Sequence, residues 1–425
     1  MMEENEKRTY RQPEGYEFAP AWEESRTEAR LHKGCEKLAI EKEEGMPNVH
    51  TSEDYTRQKI ILALRNHGHH PEGVKWDITP LGMHYLLIHF DIPQLDAETY
   101  SIKIGGAVQK ELTLTLDDIK RRPAQTIPVM MECGGTRRVK LFPRPIVWPW
   151  KDESIGCYKW TGTPLRGILE EAGLLDEAVE ILFTGHDRGF DQGMEHNFER
   201  SLPIEEAMRE EVMLVYEANG QPLPAPHGFP LRLIVPHWYG MTSVKWLKSI
   251  TAVTEPFRGV QQAIQYRYKK PQSTIAKLAK EITDYAWYKA AKDDPGTPVT
   301  RINVNSNLMP PGMPDLVQRN RYLLTGKMTI IGKAWSGWGA ITKVECSSDG
   351  GQSWQEAQLG EPVGEFAWTP WHYAWEALKE GEYELCCRAT DSAGNVQPAD
   401  CEEVWNYGGY GVNSVQRVPV FVCQE

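Results

Sequence analysis

The chain has 425 residues, of which 40% are hydrophobic and 25% charged. That is the composition of a globular protein with room for two or three domains that each bury a core. A formal net charge of −12 and the lack of a basic stripe exclude nucleic acid as a natural partner.

No apolar run approaches membrane-spanning length. Residues 1–50 are rich in Glu, Lys and Arg and lack the apolar centre of a signal peptide, so a cytoplasmic location is expected. They read as a charged extension, with some helix around Trp22–Ile40. A helix over Thr51–Leu64 leads into Arg65-Asn-His-Gly-His-His70, whose histidines have no helical or strand spacing and read as a solvated turn.

Strands and short helices mix from Trp76 to about Thr254. Leu86–His89 and Tyr100–Ile104 are strand-like, and Leu116-Asp-Asp-Ile-Lys120 starts a short helix. Thr126–Met131 reads as a buried strand. Gly162–Gly173 reads as a helix capped by Thr163, with Pro164 in its first turn and Gly173 as its stop. Further strands are expected at Val179–Phe183, Val212–Tyr216, Leu231–Val235 and Val244–Val253. This is not a strict βαβα alternation, and the fold class is α+β with a mixed sheet. Residues 255–320 read as a connector. Beyond it, short alternating strands at Lys327–Lys333, Ile341–Ser347 and Glu382–Thr390 are separated by turns such as Asp349-Gly-Gly351, the pattern of an immunoglobulin-like β-sandwich. The boundaries expected are 1–50, 51–300 and 301–425.

Eight cysteines, at 35, 133, 157, 346, 386, 387, 401 and 423, show no CxxC spacing. A zinc ribbon, a thioredoxin-type motif and a covalent c-type haem are thereby excluded. Neither a GxGxxG after a strand nor a P-loop is present. Cys386 and Cys387 are adjacent on one strand, point to opposite faces and read as packing residues.

Chemistry concentrates at Val129-Met-Met-Glu-Cys-Gly-Gly-Thr-Arg-Arg138. An apolar strand ends at Cys133, two glycines turn the chain, and two arginines follow that favour a thiolate and attract oxyanions. On these residues alone the plainer reading is a buried core thiol. Thr184-Gly-His-Asp-Arg-Gly189 reads as a strand end opening into a polar loop. His227-Gly-Phe-Pro-Leu-Arg232 and Gly240-Met-Thr-Ser-Val-Lys-Trp-Leu247 also put backbone N–H groups and polar or cationic side chains at strand ends, which suits an anion.

Five segments, in order and spacing, resemble the sulfite oxidase family of molybdopterin-dependent oxidoreductases. They are Ile78-Thr-Pro80, Glu132-Cys-Gly-Gly-Thr-Arg-Arg138, Trp160-Thr-Gly-Thr-Pro-Leu165, His227–Arg232 and Ser243-Val-Lys-Trp-Leu247. The resemblance implies a molybdopterin-binding catalytic domain over 51–300 and an Ig-like dimerisation domain over 301–425, hence a homodimer. It implies molybdenum bound as the molybdopterin cofactor, with Cys133 as the protein's one thiolate ligand. His89, Asp187, His227, Arg232, Ser243 and Lys245 would hold the pterin and its phosphate. Arg138, Trp150 and Tyr266 would form the substrate pocket, with Tyr268 as a rival for the tyrosine.

The implied reaction is oxidation of sulfite or a related sulfur compound by oxygen-atom transfer, with electrons passed to an external acceptor: a cytochrome, a quinone-linked partner or dioxygen. One departure stands out. A substrate arginine of the family falls at Leu87, while an Arg-Asn-His copy stands earlier, at 65–67; Arg144 or Arg65 is a candidate to compensate. A less charged substrate, a sulfane sulfur or a sulfoxide, is the alternative within the class, and nitrate is a weaker one. A non-catalytic scaffold with an Ig-like module is the alternative outside it.

Overall fold

The computed structural model describes residues 65–142, 145, 147–191, 194–270, 294–316 and 320–424. The expected N-terminal extension and the helix at 51–64 lie outside the described residues, as does Arg144. The fold is α+β, mostly sheet with few and short helices.

In chain order the first domain runs β1 (Ser101–Gly106), β2 (Leu112–Thr115), α1 (Leu116–Lys120), β3 (Gln125–Glu132) and β4 (Ile155–Pro164). It continues with α2 (Leu165–Ala172), β5 (Glu180–Asp191), β6 (Met194–Pro203) and β7 (Met213–Ala218). Short strands at Arg232–Ile234 and Leu247–Val253 follow.

Local chemistry explains the elements. Alternation of exposed and buried residues in β1 and β2 gives each strand one inward face. A capping box starts α1: Asp118 N donates to Thr115 Oγ1 at 3.1 Å, and Thr115 N donates to Asp118 Oδ2 at 2.9 Å. The helix expected from residue 162 begins only at Leu165. Thr163 belongs to β4 and its hydroxyl donates to Pro123 O instead of capping, so the cap position falls to Pro164. Gly173 ends this helix in the left-handed region at φ 69°, as a stop requires.

Two sheets result. In one, β2, β1, Leu247–Val253, β5 and β6 lie side by side, with β1 parallel to Leu247–Val253 and the other pairs antiparallel. In the other, β3, β4 and β7 pair antiparallel and Arg232–Ile234 adds to β7. β3 runs from exposed residues into four buried ones, Val129 to Glu132, and so delivers Cys133 to the interior.

Three expectations need correction. Leu86–His89 is not a strand: its backbone is engaged by the Arg65–His67 segment, through an isolated His67–Leu86 bridge and an Ile88 N–H donated to Asn66 Oδ1 at 2.6 Å. The turn at 65–70 is not solvated throughout, because His69 is buried edge-on against Trp368 with ring centres 6.0 Å apart. Residues 184–189 are not a loop. β5 continues through them in a hairpin with β6, and a bulge between Thr184 and Arg188 absorbs the irregularity.

The second domain stacks two sheets. One contains Asn305–Leu308, Gly326–Trp335 and Thr369–Ala377; the other contains Ile341–Ser347, Gly381–Asp391 and Gln416–Cys423. Asn305–Leu308 thus belongs to the sandwich and not to a connector. Trp335, Trp368 and Tyr410 of this domain are part of the first domain's hydrophobic core. The two domains are packed as one structure around the end of β3.

Candidate functional site

The turn after β3 is anchored from both sides. Before Cys133, the buried Glu132 carboxylate accepts from Asn305 Nδ2 at 3.1 Å and from Trp335 Nε1 at 2.7 Å. After it, Arg137 has a left-handed backbone, φ 62°, and a guanidinium with no exposed surface. That guanidinium donates to Asp152 Oδ1 at 2.6 Å, Ser306 O at 2.7 Å and Asn307 Oδ1 at 2.5 Å, and also to Ser414 O. Gly411 N donates to Gly134 O at 2.8 Å. Asn305, Ser306, Asn307, Trp335, Gly411 and Ser414 all come from the second domain, which therefore frames the cysteine.

The Cys133 thiol is buried and burial raises its pKa; the Arg138 guanidinium, the Gly135 N–H at 3.5 Å from Sγ and the Trp150 indole act in the opposite sense. Cys133 opens into a cleft. His89, Asp187, His227, Arg232, Ser243, Lys245 and Tyr266 line the same cleft. Residues separated by more than 170 positions are thus brought to one wall around the thiol. Gly228 makes part of this approach feasible. Its φ is +110°, and a Cβ there would lie 2.9 Å from the Cβ of Arg232 and 3.2 Å from that of Lys245.

The polar groups are poorly matched to one another. Arg232 donates to the carbonyls of His227 and Ser243, both at 2.9 Å. Lys245 Nζ donates to the carbonyls of Leu87 at 3.0 Å and Pro226 at 2.9 Å. Burial depresses the pKa of each cation, and for Lys245 the Arg232 charge adds to the effect. Among the described residues neither has a carboxylate within salt-bridge distance. Among the described residues the buried Asp187 Oδ1 has no hydrogen-bond partner, and burial raises that carboxyl's pKa against the opposing charge of Lys245. Burial also keeps His89 neutral, its pKa lowered to about 3, and pushes His227 well below its ordinary value.

Buried charges and acceptors left this way are costly unless a ligand pairs them. A group carrying an anionic phosphate for Arg232 and Lys245, and N–H donors for Asp187, fits the set. A thiol beside it offers a soft ligand to a soft metal.

The remaining expected residues lie at the edge. Tyr266 Oη is 2.8 Å from His89 Nε2. Tyr268 points elsewhere: its strand pairs with Thr297, and its hydroxyl lies where a Cβ on Gly411 would be 2.3 Å away. Arg138 does not line the cleft. It is buried, with Nε donating to Gly408 O at 3.0 Å and Gly409 O at 3.1 Å and Nη1 to Trp148 O at 3.1 Å. Trp150 packs in the apolar cluster that contains Cys133 and Met131. Arg65 does not turn into the cleft, because its guanidinium donates to Phe90 O and pairs with Asp91 Oδ1 at 3.0 Å.

Sequence reasoning passed over His84, Tyr85 and Tyr410. His84 and Tyr85 line the cleft, and Tyr410 stacks on Tyr266 with ring centres 4.8 Å apart. A histidine inside an otherwise apolar Met-His-Tyr-Leu-Leu-Ile run was the available signal for the first two. Nothing local marked Tyr410.

Comparison with known proteins gives the same outline. Residues 89–261 match the oxidoreductase molybdopterin binding domain, and 297–423 match the Mo-co oxidoreductase dimerisation domain. Mitochondrial sulfite oxidase of Mus musculus is 32% identical over 358 residues, 81% of this chain and 62% of the relative. Nitrate reductase [NADH] 1 of Oryza sativa subsp. japonica is 30% identical over 367 residues, 82% of this chain and 38% of the relative. The chain thus spans less than two thirds of the length of these curated relatives. The crystal structure of the sulfane dehydrogenase SoxCD from Paracoccus pantotrophus shares the fold, with a TM-score of 0.67 at 23% identity over 88% of this chain and 90% of that one. With two family models matched in tandem and relatives above 30% identity over four fifths of its length, the chain belongs to the sulfite oxidase family of molybdopterin oxidoreductases.

Proposed function

We propose that this chain is a molybdenum-cofactor oxidoreductase that oxidises a small sulfur oxyanion, sulfite first, and passes the electrons to an external acceptor. The observation that carries the reading is a cysteine thiol sharing one cleft with two buried cations that, among the described residues, have no carboxylate within ion-pair distance. Cys133 would be the thiolate ligand. Arg232 and Lys245 would hold the cofactor's phosphate, and Asp187, His227, Ser243 and His89 the pterin.

The bound cofactor supplies the two-electron oxidation chemistry. The chain's own residues bind, orient and exclude water. The carbonyls of Gly408, Gly409 and Trp148 hold the Arg138 guanidinium in place behind the cleft, where its fixed charge acts on Cys133 and His89. Tyr266 stays a phenol, because burial raises its pKa well above the ordinary value. Its hydroxyl, fixed by neutral His89, can orient an oxyanion or a water. Leu86, Leu87, Met131, Phe198 and Met241 form an apolar wall that keeps the thiol dry. The same wall favours a second reading, a less charged sulfane or sulfoxide substrate, since Leu87 offers no charge.

The second domain would join two copies of the chain, and exposed Met313, Leu316 and Leu324 give it an apolar edge for that contact. Sedimentation equilibrium checks this point.

The decisive measurement is molybdenum content after expression in a host that makes the cofactor. About one metal per chain, lost in Cys133→Ser, supports the reading, and a metal-free wild type sinks it in favour of a scaffold. Turnover with an artificial one-electron acceptor then compares sulfite with sulfane and sulfoxide compounds. A fully metallated protein that leaves sulfite untouched eliminates sulfite as the substrate.

A further inference from the structure

Position 87 at the cleft wall carries no charge, and Arg65 is committed to Phe90 and Asp91. Another guanidinium, on β6, packs against Tyr266 of the cleft wall. Arg200 is buried, 2% exposed, and its guanidinium carbon lies 5.6 Å from the centre of the Tyr266 ring. Tyr266 stacks on Tyr410 at 4.8 Å, and the Arg138 guanidinium lies 5.2 Å from the Tyr410 ring. Two arginines therefore bracket a pair of phenols. A Cβ on Gly134 would touch Tyr266 at 3.8 Å, which puts this group next to the residue after Cys133.

Arg200 is incompletely used by the protein. Its Nη1 donates to Gln261 O, while among the described residues its buried Nε has no hydrogen-bond partner. Among the described residues no carboxylate lies within ion-pair distance, and Glu180 acts on it only from further away. The face of Tyr266 offsets part of the burial cost and fixes the guanidinium plane. A buried guanidinium with a spare N–H is otherwise a liability, because its desolvation is not repaid. Phe198, two residues earlier on the same side of β6, lines the cleft.

We propose that Arg200 is a specificity-determining residue of the substrate site, its unpartnered Nε–H and its charge serving a small oxyanion on the Tyr266 side of the Tyr266–Tyr410 pair. β6 thereby supplies the positive charge that Leu87 does not. Planar guanidiniums suit this task, since each can present paired N–H groups to oxygens of one anion. The inference rests on the functional reading above and narrows it to an anionic substrate.

Sulfate is the probe, titrated calorimetrically into the cofactor-loaded wild type and the variants Arg200→Met and Arg200→Lys, with molybdenum content and thermal midpoint measured alongside. Arg200→Met is expected to keep its molybdenum and bind sulfate at least tenfold more weakly, with Arg200→Lys in between. Wild-type sulfate affinity in folded, metallated Arg200→Met overturns the proposal. So does loss of molybdenum from a folded variant, which would assign the residue to the cofactor. If the methionine variant does not fold, Arg200→Lys decides: a threefold or greater weakening at full metal content supports the role, and unchanged affinity overturns it. A wild type without molybdenum defeats the functional reading instead, and the same sulfate titrations on that protein still decide the role of Arg200.

Discussion

Asp152→Asn removes one charge from the junction between the cysteine turn and the second domain, and should cost about 3 kcal/mol of stability. Arg137 Nε lies 2.6 Å and Lys140 Nζ 2.9 Å from Asp152 Oδ1, and the Arg137 side chain has no exposed surface. Burial opposes ionisation of Asp152, but Lys140 and Arg137 outweigh it and hold the carboxyl at about 2 against an ordinary 3.8. That gap of nearly two pH units corresponds to about 2.5 kcal/mol, at roughly 1.4 kcal/mol per unit. Removing one member of a buried pair costs about 3–5 kcal/mol where the other charge is stranded. With Asp152 24% exposed, the low end applies. The folded-state pKa lies below the unfolded one, so this stabilisation is complete above about pH 4 and drains away as pH falls towards 2. Urea unfolding at pH 7 should show the deficit, and wild type and variant should begin to converge below about pH 4. A loss under about 1 kcal/mol at pH 7, or a gap that stays constant to pH 3, would refute the assignment of Asp152 as the counter-charge of Arg137.

Two other substitutions probe the substrate end. Gly409 has φ +59°, and a Cβ there would lie 2.6 Å from Arg138 Cγ. Gly409→Ala should therefore cost about 1–3 kcal/mol and displace the guanidinium, raising the KM for an anionic substrate at least about fivefold with molybdenum retained; steady-state kinetics at wild-type KM would contradict the placement of Arg138. Leu87→Arg adds a cation to the cleft wall. A charge-assisted bond of about 1.5–3 kcal/mol, reduced by repulsion from Lys245, should lower the sulfite KM several-fold and leave an uncharged substrate unaffected. An unchanged sulfite KM would mean that position 87 does not face the substrate.

Much of this site was legible because it rests on local chemistry. An apolar strand ending in Cys-Gly-Gly says where a thiol emerges, and strand ends rich in Gly, Ser and cations say where an anion can sit. The cofactor-binding candidates taken from those segments all line one cleft. What stayed hidden depends on long-range packing. Leu86–His89 has strand composition, yet the chain segment at 65–67 occupies its backbone groups. Thr163 has the chemistry of a cap, but β4 runs through it to pair with β7. Arg200 was the clearest missed signal: in Phe-Glu-Arg-Ser-Leu-Pro the strand period puts Phe198, Arg200 and Leu202 on one side, and all three are buried. An arginine on the inner face of a strand needs a partner, and that partner is not visible from sequence spacing.

The residues from 132 to 138 divide their work in a way that links the two domains to the chemistry. Glu132 and Arg137 turn towards the second domain, Cys133 faces the cleft, and Arg138 is held by carbonyls on both sides of the boundary. A turn containing two glycines is floppy in isolation, because glycine loses the most backbone freedom on ordering. Here that cost falls on contacts to the sandwich: four groups of the turn bond to it at 3.1 Å or less, through Glu132, Gly134, Arg137 and Arg138. The second domain consequently has a role within each chain that is separate from any pairing of chains. Disturbing the junction at Asp152 should alter the turn that carries the thiol even where the cleft walls are untouched, and in the cofactor-free variant Cys133 should react faster with an alkylating reagent. An unchanged rate in a destabilised Asp152→Asn protein would show that the turn holds its shape without the Asp152 junction.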